Sequence, residues 1–237
     1  MYSTYLNKIY EHSLREYPEC TKLLHHYQTT SISEMSEDRI YQEICWIVYS
    51  SGFKNEIIQK YWPKITEAYF NFEIKKIIEE YPDLESGATI ICKKSNFKNL
   101  NKAKWCLYNA NRVSHMNENL NDSGLKAVLK TITKMDVLEI YEILPDLRRQ
   151  LGLKGIGPVT IFHLLKNVGV DIFKPDIHVS RILDHIGFFK EIKSYREVYC
   201  ILKQISDEMQ IEVSSLDTAL FVYGKNNENL KSLDYLV

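Results

Sequence analysis

Residues 146–183 read DLRRQLGLKGIGPVTIFHLLKNVGVDIFKPDIHVSRIL. The centre of this stretch is a tight turn, Leu153-Lys154-Gly155-Ile156-Gly157-Pro158, between two segments of helical pattern. From Pro158 onward, Ile156, Val159, Ile161, Phe162, Leu164, Leu165 and Val168 give an apolar stripe at helical spacing. Pro158 suits the first position of that helix, where no amide donor is needed. Gly155 and Gly157 allow a backbone turn that side chains would block. Such a turn, opening into a helix, leaves backbone amides unpaired, and with the helix dipole they form an anion site. Lys154, Arg148 and Arg149 lie close in sequence. The natural anion is a nucleic-acid phosphate, and such contacts position a strand without reading its bases. A lone Gly-x-Gly would equally serve as a plain corner between packed helices. The basic flanks and the aliphatic helix that follows favour the phosphate.

Farther along, Val179, Ile182, Leu183 and Ile186 recur at i, i+3, i+4 and i+7, so a helix begins near Ile177. Asp176 then stands at its N-cap, where nearby amides keep a carboxylate ionised. A capping aspartate alone would explain that position. The hairpin about twenty residues upstream adds a second reading.

The two halves together resemble the helix-hairpin-helix DNA glycosylases of the HhH-GPD superfamily. LKGIGPVTI is similar to that family's hairpin, and VDIFKPDIHVSRIL to its Gly/Pro-rich loop, aspartate and following helix. The resemblance makes Asp176 the catalytic residue. It assigns phosphate contacts to Lys154, Gly155, Ile156, Gly157, Val159, Thr160 and His178. His178 fits a phosphate ligand, a support for Asp176 or a packed structural histidine. Bifunctional members carry a lysine two residues past the second hairpin glycine, where this chain has Val159, and Lys154 and Lys166 are off register. The resemblance therefore implies a monofunctional DNA N-glycosylase. It would hydrolyse the N-glycosidic bond of a flipped-out base in double-stranded DNA, leave an abasic site and have no β-lyase activity. A non-catalytic helix-hairpin-helix DNA-binding module is the alternative. A helical interaction protein with a chance Gly-Ile-Gly turn is a third reading.

EICWIVYSSGFKNEIIQKYWPKI resembles the helix–loop–helix that borders the base pocket in this family, so Trp46, Tyr49 and Ser50 are pocket candidates. Core packing explains Trp46 equally well. The family's Ser-x-Gln at this loop is Ser50-Ser51-Gly52 here, so the residue that fills the flipped-base gap stays unassigned. The base itself also stays open: alkylated, mismatched, oxidised or hypermodified, in the cell's own genome or in foreign DNA.

Composition bounds these readings. The chain has 237 residues, 45% hydrophobic and 26% charged, which suits one large domain or two lobes with a real core. Its net charge is −1, so any nucleic-acid surface is local. Cys20, Cys45, Cys92, Cys106 and Cys200 form no CxxC pair. Only Cys200 lies where many glycosylases of the superfamily carry an iron–sulfur cluster. No metal and no organic cofactor is expected, and the cysteines read as reduced, buried thiols. His25-His26 cannot easily share an ion, because adjacent helical residues diverge by about 100°. No signal peptide or long apolar run is seen, so a monomer in the bacterial cytoplasm, or otherwise intracellular with DNA, is expected.

The remaining segments read as helices. Pro18 breaks the first, and Ser33 or Ser36 begins the next, with Ile40, Ile44, Ile47 and Val48 inside. Residues 54–82 hold one or two helices, and Ala88–Cys92 is ambiguous between helix and strand. Residues 93–112 carry Lys93, Lys94, Lys98, Lys102, Lys104 and Arg112 with no acidic residue, as a solvated face or a phosphate-facing one. Ser123–Tyr141 continues the helical pattern, and two or three helices follow Asp176. The fold class is therefore all-α. The resemblance implies two helical lobes, residues 33–170 with the hairpin and residues 1–32 plus 171–237 with Asp176, and an interlobe active-site cleft.

Overall fold

The helical periods become thirteen α-helices and one 3-10 turn among the described residues, and no strand occurs among them. The computed structural model describes residues 2–119, 124–188, 194–227 and 230. In chain order the helices are α1 (Tyr2–Glu16), α2 (Pro18–Thr29), α3 (Glu37–Ser50), α4 (Asn55–Ala68), α5 (Ile74–Glu80), α6 (Leu84–Ser95) and α7 (Leu100–Asn119). They continue with α8 (Leu125–Ile132), α9 (Val137–Leu151), α10 (Thr160–Asn167), α11 (Ile177–His185), α12 (Tyr195–Glu208) and α13 (Val213–Asn226). The 3-10 turn Phe70–Phe72 lies between α4 and α5.

Start signals placed several boundaries. Pro18 opens α2 one residue after α1 ends. Ser36, not Ser33, caps α3, its side chain accepting the Arg39 amide, with Glu37 and Asp38 in the first turn. Ser194 and Glu197 form a reciprocal capping box on α12. The ambiguous Ala88–Cys92 run is helical, inside α6. The expected 123–141 helix is two helices, broken between Ile132 and Val137; Ser123 lies outside the described residues.

The chain divides into two compact units. A central unit comprises Ser31–Met135 and Glu142–Leu164; a terminal unit comprises Met1–Thr30, Asp136–Tyr141 and Leu165–Val237. The resemblance implies lobe divisions near 32 and 170. The chain changes unit at 30 and 164, and residues 136–141 go with the chain ends.

In the central unit α7 packs on α3, α5 and α6. Its small residues Ala103, Cys106 and Ala110 are wholly buried, which lets the neighbouring helices approach. Tyr41, Tyr49, Tyr69 and Phe72 fill the space between, ring against ring. Their hydroxyls are not left unpaired: Tyr41 donates to Cys106 O, Tyr69 to Ala103 O, and Tyr49 shares a hydrogen bond with Tyr69. In the terminal unit α13 is the hub, packed by α1, α2, α11 and α12. Leu6, Ile9, Val179, Leu183, Leu202 and Leu216 meet there in one apolar cluster. α13 is buried almost all round, as a central helix must be.

The five cysteines are free thiols. Cys20, Cys45 and Cys106 are buried, but Cys200 is exposed and Cys92 half-buried, against the expectation of buried thiols throughout. Cys200 lies on the exposed face of α12, whose Val198, Leu202 and Ile205 point inward. No helix among the described residues is long and apolar enough to cross a membrane.

Candidate functional site

The hairpin is built by α7. Trp105, Tyr108, Asn109 and Arg112 stand at i, i+3, i+4 and i+7, on one face of that helix. Arg112 closes the C-terminus of α9: its Nε donates to Leu151 O at 3.0 Å and a guanidinium nitrogen to Gln150 O at 2.7 Å. Last-turn carbonyls are orphan acceptors, and a cation there also matches the helix dipole. Asn109, fully buried, clamps the turn itself. It donates to Lys154 O at 2.9 Å and accepts the Lys154 amide at 2.7 Å.

Gly155 follows at φ +78°, pressed between Val48 and Trp105. A Cβ there would stand 3.0 Å from Val48 Cγ2 and 3.1 Å from Trp105 Cε3. The requirement for glycine is thus double, in backbone conformation and in space. The Lys154 ammonium lies 5.4 Å from the Tyr108 ring centre. Lys102, from the basic stretch, is buried instead of facing solvent; it donates to the Val48 and Ser51 carbonyls at the end of α3.

Not every amide of the turn is free. Lys154 N–H is taken by Asn109, and Gly157 N–H donates to Thr160 Oγ1 at 2.6 Å. Among the described residues the amides of Gly155, Ile156, Val159 and Thr160 find no acceptor. Ile161 N–H bonds to Gly157 O at 3.1 Å, so helical bonding reaches back to Gly157 although α10 itself starts at Thr160. The Ile156 side chain is buried, so that residue can offer a phosphate only its amide, whereas Val159 is exposed.

Asp176 lies in the terminal unit and caps α11, as the spacing predicted. Its Oδ1 accepts the amides of His178 at 2.8 Å and Val179 at 3.1 Å. Its other oxygen, Oδ2, faces the Lys174 ammonium at 3.2 Å. A carboxylate accepting two amides beside a cation is held in one orientation. Both side chains remain 16% exposed, so solvent reaches them. Gly224 of α13 presses on the first turn of α11: a Cβ there would come within 2.8 Å of His178 O. The His178 ring lies edge-on to Phe221 at 5.6 Å, with Nδ1 3.3 Å from the Arg181 guanidinium.

Behind Asp176 lies a second, buried ion pair. Lys166 reaches Asp217, and donates to Thr218 Oγ1 at 2.8 Å. Asp217 Oδ1 also accepts the Lys174 amide at 3.3 Å, which ties the loop before Asp176 to α13. Burial pushes the Asp217 carboxyl up and the Lys166 ammonium down, and their pairing opposes both shifts. Lys174 Nζ also stands 4.8 Å from the Phe221 ring centre.

The pocket candidates part company. Tyr49 is wholly buried among Trp62, Tyr69 and Phe97 with its hydroxyl on Tyr69, so it is a core residue of the central unit. Trp46 is half-buried, edge-on to Trp62 at 4.9 Å, and Ser50 turns its hydroxyl back to Ile47 O. Gly52 sits at φ +77° in open space, next to the exposed Phe53.

Sequence reasoning missed Lys174, Asp217 and the clamp residues Asn109 and Arg112. Lys174 had a local signal: a lysine and an aspartate either side of Pro175, whose fixed φ favours a tight turn. That turn forms, Asp176 N–H bonding to Lys174 O at 2.8 Å. Asp217 and Asn109 had none, since their partners are tens of residues away.

No family model matches the chain. A stretch of 98 residues, 39% of the chain, is 32% identical to the 8-oxoguanine DNA glycosylase/AP lyase of Aquifex aeolicus (strain VF5). That similarity spans 43% of the relative's length, less than half of it. Two solved structures share the fold. The 8-oxoguanine glycosylase/lyase of Methanocaldococcus jannaschii, in complex with a 15mer DNA containing 8-oxoguanine, superposes with a TM-score of 0.58 at 20% identity, over 91% of this chain and 94% of that one. The 8-oxoguanine DNA glycosylase of Thermotoga maritima gives 0.60 at 20% identity, over 91% and 95%.

Proposed function

We propose that the chain is a DNA glycosylase that hydrolyses the bond between a damaged or modified base and its deoxyribose. One observation carries this reading: on a fold shared with DNA glycosylases, the Asp176 carboxylate is fixed by two amides and the Lys174 ammonium and stays partly exposed. The hairpin with its four unpaired amides fits a backbone phosphate, and Lys154 adds a cation beside it. His178 is a further candidate for phosphate contact. The target nucleotide would leave the stack at a cost of a few kcal/mol. As its base departs, the sugar gains oxocarbenium character, which a carboxylate beside C1′ stabilises while it orients the attacking water.

Within this reading, base removal is monofunctional. Val159 stands where the resemblance places the lysine of bifunctional enzymes, so no amine stands at that position, and Lys154 and Lys166 are off register. The names of the relatives make 8-oxoguanine the first base to try. The protein would act as a monomer on double-stranded DNA, wherever the cell keeps it, and without a cofactor.

The test is base release from duplexes carrying 8-oxoguanine, alkylated purines, mismatches and hypermodified bases, by wild type and Asp176→Asn. Alkali-labile sites from wild type, none from the variant, and no nicking without alkali are expected. Asn caps a helix about as well as Asp, so the variant should fold. No release from any duplex, with DNA bound equally by both proteins, would leave a non-catalytic hairpin module in its place.

A further inference from the structure

We propose that Lys174 is a second catalytic residue, the proton donor to the departing base. This rests on the reading of Asp176 just given. A base leaving as an anion is a poor leaving group, and hydrolysis has to supply it with a proton. The structure puts an ammonium 3.2 Å from the carboxylate oxygen that no backbone amide occupies. Both groups are partly exposed, on the same side of the Pro175 turn.

Lys174 is also held in place. Its amide is tied to Asp217, and its ammonium lies over the Phe221 ring. The buried amine behind it, Lys166, is spent on Asp217 and Thr218 at 4% exposure. A cation whose only task was to neutralise Asp176 would need no such anchoring of its own backbone.

The step balances. The C1′–N bond breaks and its electron pair leaves on the base nitrogen, which takes a proton from the Lys174 ammonium. A water oxygen bonds to C1′, and the proton it loses passes to Asp176 and on to the neutral Lys174 amine. One water is consumed, and both side chains end as they began.

Arginine separates this role from charge alone, because a guanidinium stays protonated and cannot give its proton up. The experiment is single-turnover base release from the duplex that wild type processes in the panel above, with Lys174→Arg and Lys174→Met, beside DNA affinity and melting temperature. General acid catalysis is worth about 100- to 10,000-fold. Both variants should lose rate in that range, with affinity and melting temperature near wild type. An Arg variant as fast as wild type would reduce Lys174 to an electrostatic support and overturn the assignment, as would a fully active Met variant. Borohydride trapping of wild type, but not Lys174→Met, on the DNA would overturn it too, by showing the amine attacking the sugar. Absence of base release by wild type sinks the glycosylase reading and this step together, whereas an inactive Asp176→Asn beside an active Lys174→Met sinks the step alone.

Discussion

Gly155→Ala is the sharpest perturbation of the hairpin. The residue sits at φ +78°, where an L side chain costs roughly 1–2 kcal/mol. The new methyl would also press on Val48 Cγ2 at 3.0 Å and Trp105 Cε3 at 3.1 Å. Neither is the loose end of a flexible chain, because Val48 is buried in α3 and the indole is rigid. Forcing a methylene-sized group into packed surroundings costs about 1–3 kcal/mol. Against this, alanine lowers the entropy of the unfolded chain, returning about 0.4–1 kcal/mol. The net loss is about 1–5 kcal/mol. For a chain of this length, each kcal/mol lowers the melting temperature by about 2–4 °C. Gly157→Ala is the internal control. Its Cβ would meet only Thr160 Oγ1 at 3.8 Å, and its φ is not positive, so its cost stays under about 1 kcal/mol. Urea titration followed by circular dichroism reads both. Equal losses for the two variants would show that the contacts of Gly155 do not dictate the turn.

Three further outcomes are expected. Replacing either Lys166 or Asp217 alone with a neutral residue should cost about 3–5 kcal/mol, whereas Lys166→Met with Asp217→Leu should cost much less; additive losses in that double-mutant cycle would contradict the buried pair. Asn109→Ala should weaken DNA binding by freeing the Lys154 backbone, and Lys154→Ala should lower the slope of log affinity against log salt by about one; an unchanged slope would remove Lys154 from the phosphate site. Burial first, then the Glu19 charge, raises the Cys20 thiol from 9.0 to about 11, with Lys166 opposing. The folded pKa lies above the unfolded one, so this stabilising contribution is whole below pH 9 and lost toward about pH 11. Wild type should therefore lose more unfolding free energy over that window than Cys20→Ala, and equal losses would refute the burial argument.

The sequence alone carried much of what is local. The all-helical class followed from the spacing of apolar residues. The Asp176 cap, and a serine cap at Ser33 or Ser36, followed from small polar side chains at helix starts, and the hairpin from two glycines and a proline. These signals are legible because their causes lie within a few residues of one another. Tertiary structure decided which surfaces those elements keep. It took Tyr49 into an aromatic core, turned Lys102 inward onto the end of α3, and left Cys200 outside. It also satisfied two hairpin amides from Asn109 and Thr160, leaving four. Asn109 sits 45 residues from the turn that it clamps, and Asp217 lies 43 residues from the Lys174 amide that it receives. Partners so distant leave no trace in periodicity or spacing. A carboxylate or amide side chain is chemically the same in a cap, on a surface or in a core, and only the fold chooses which group it faces.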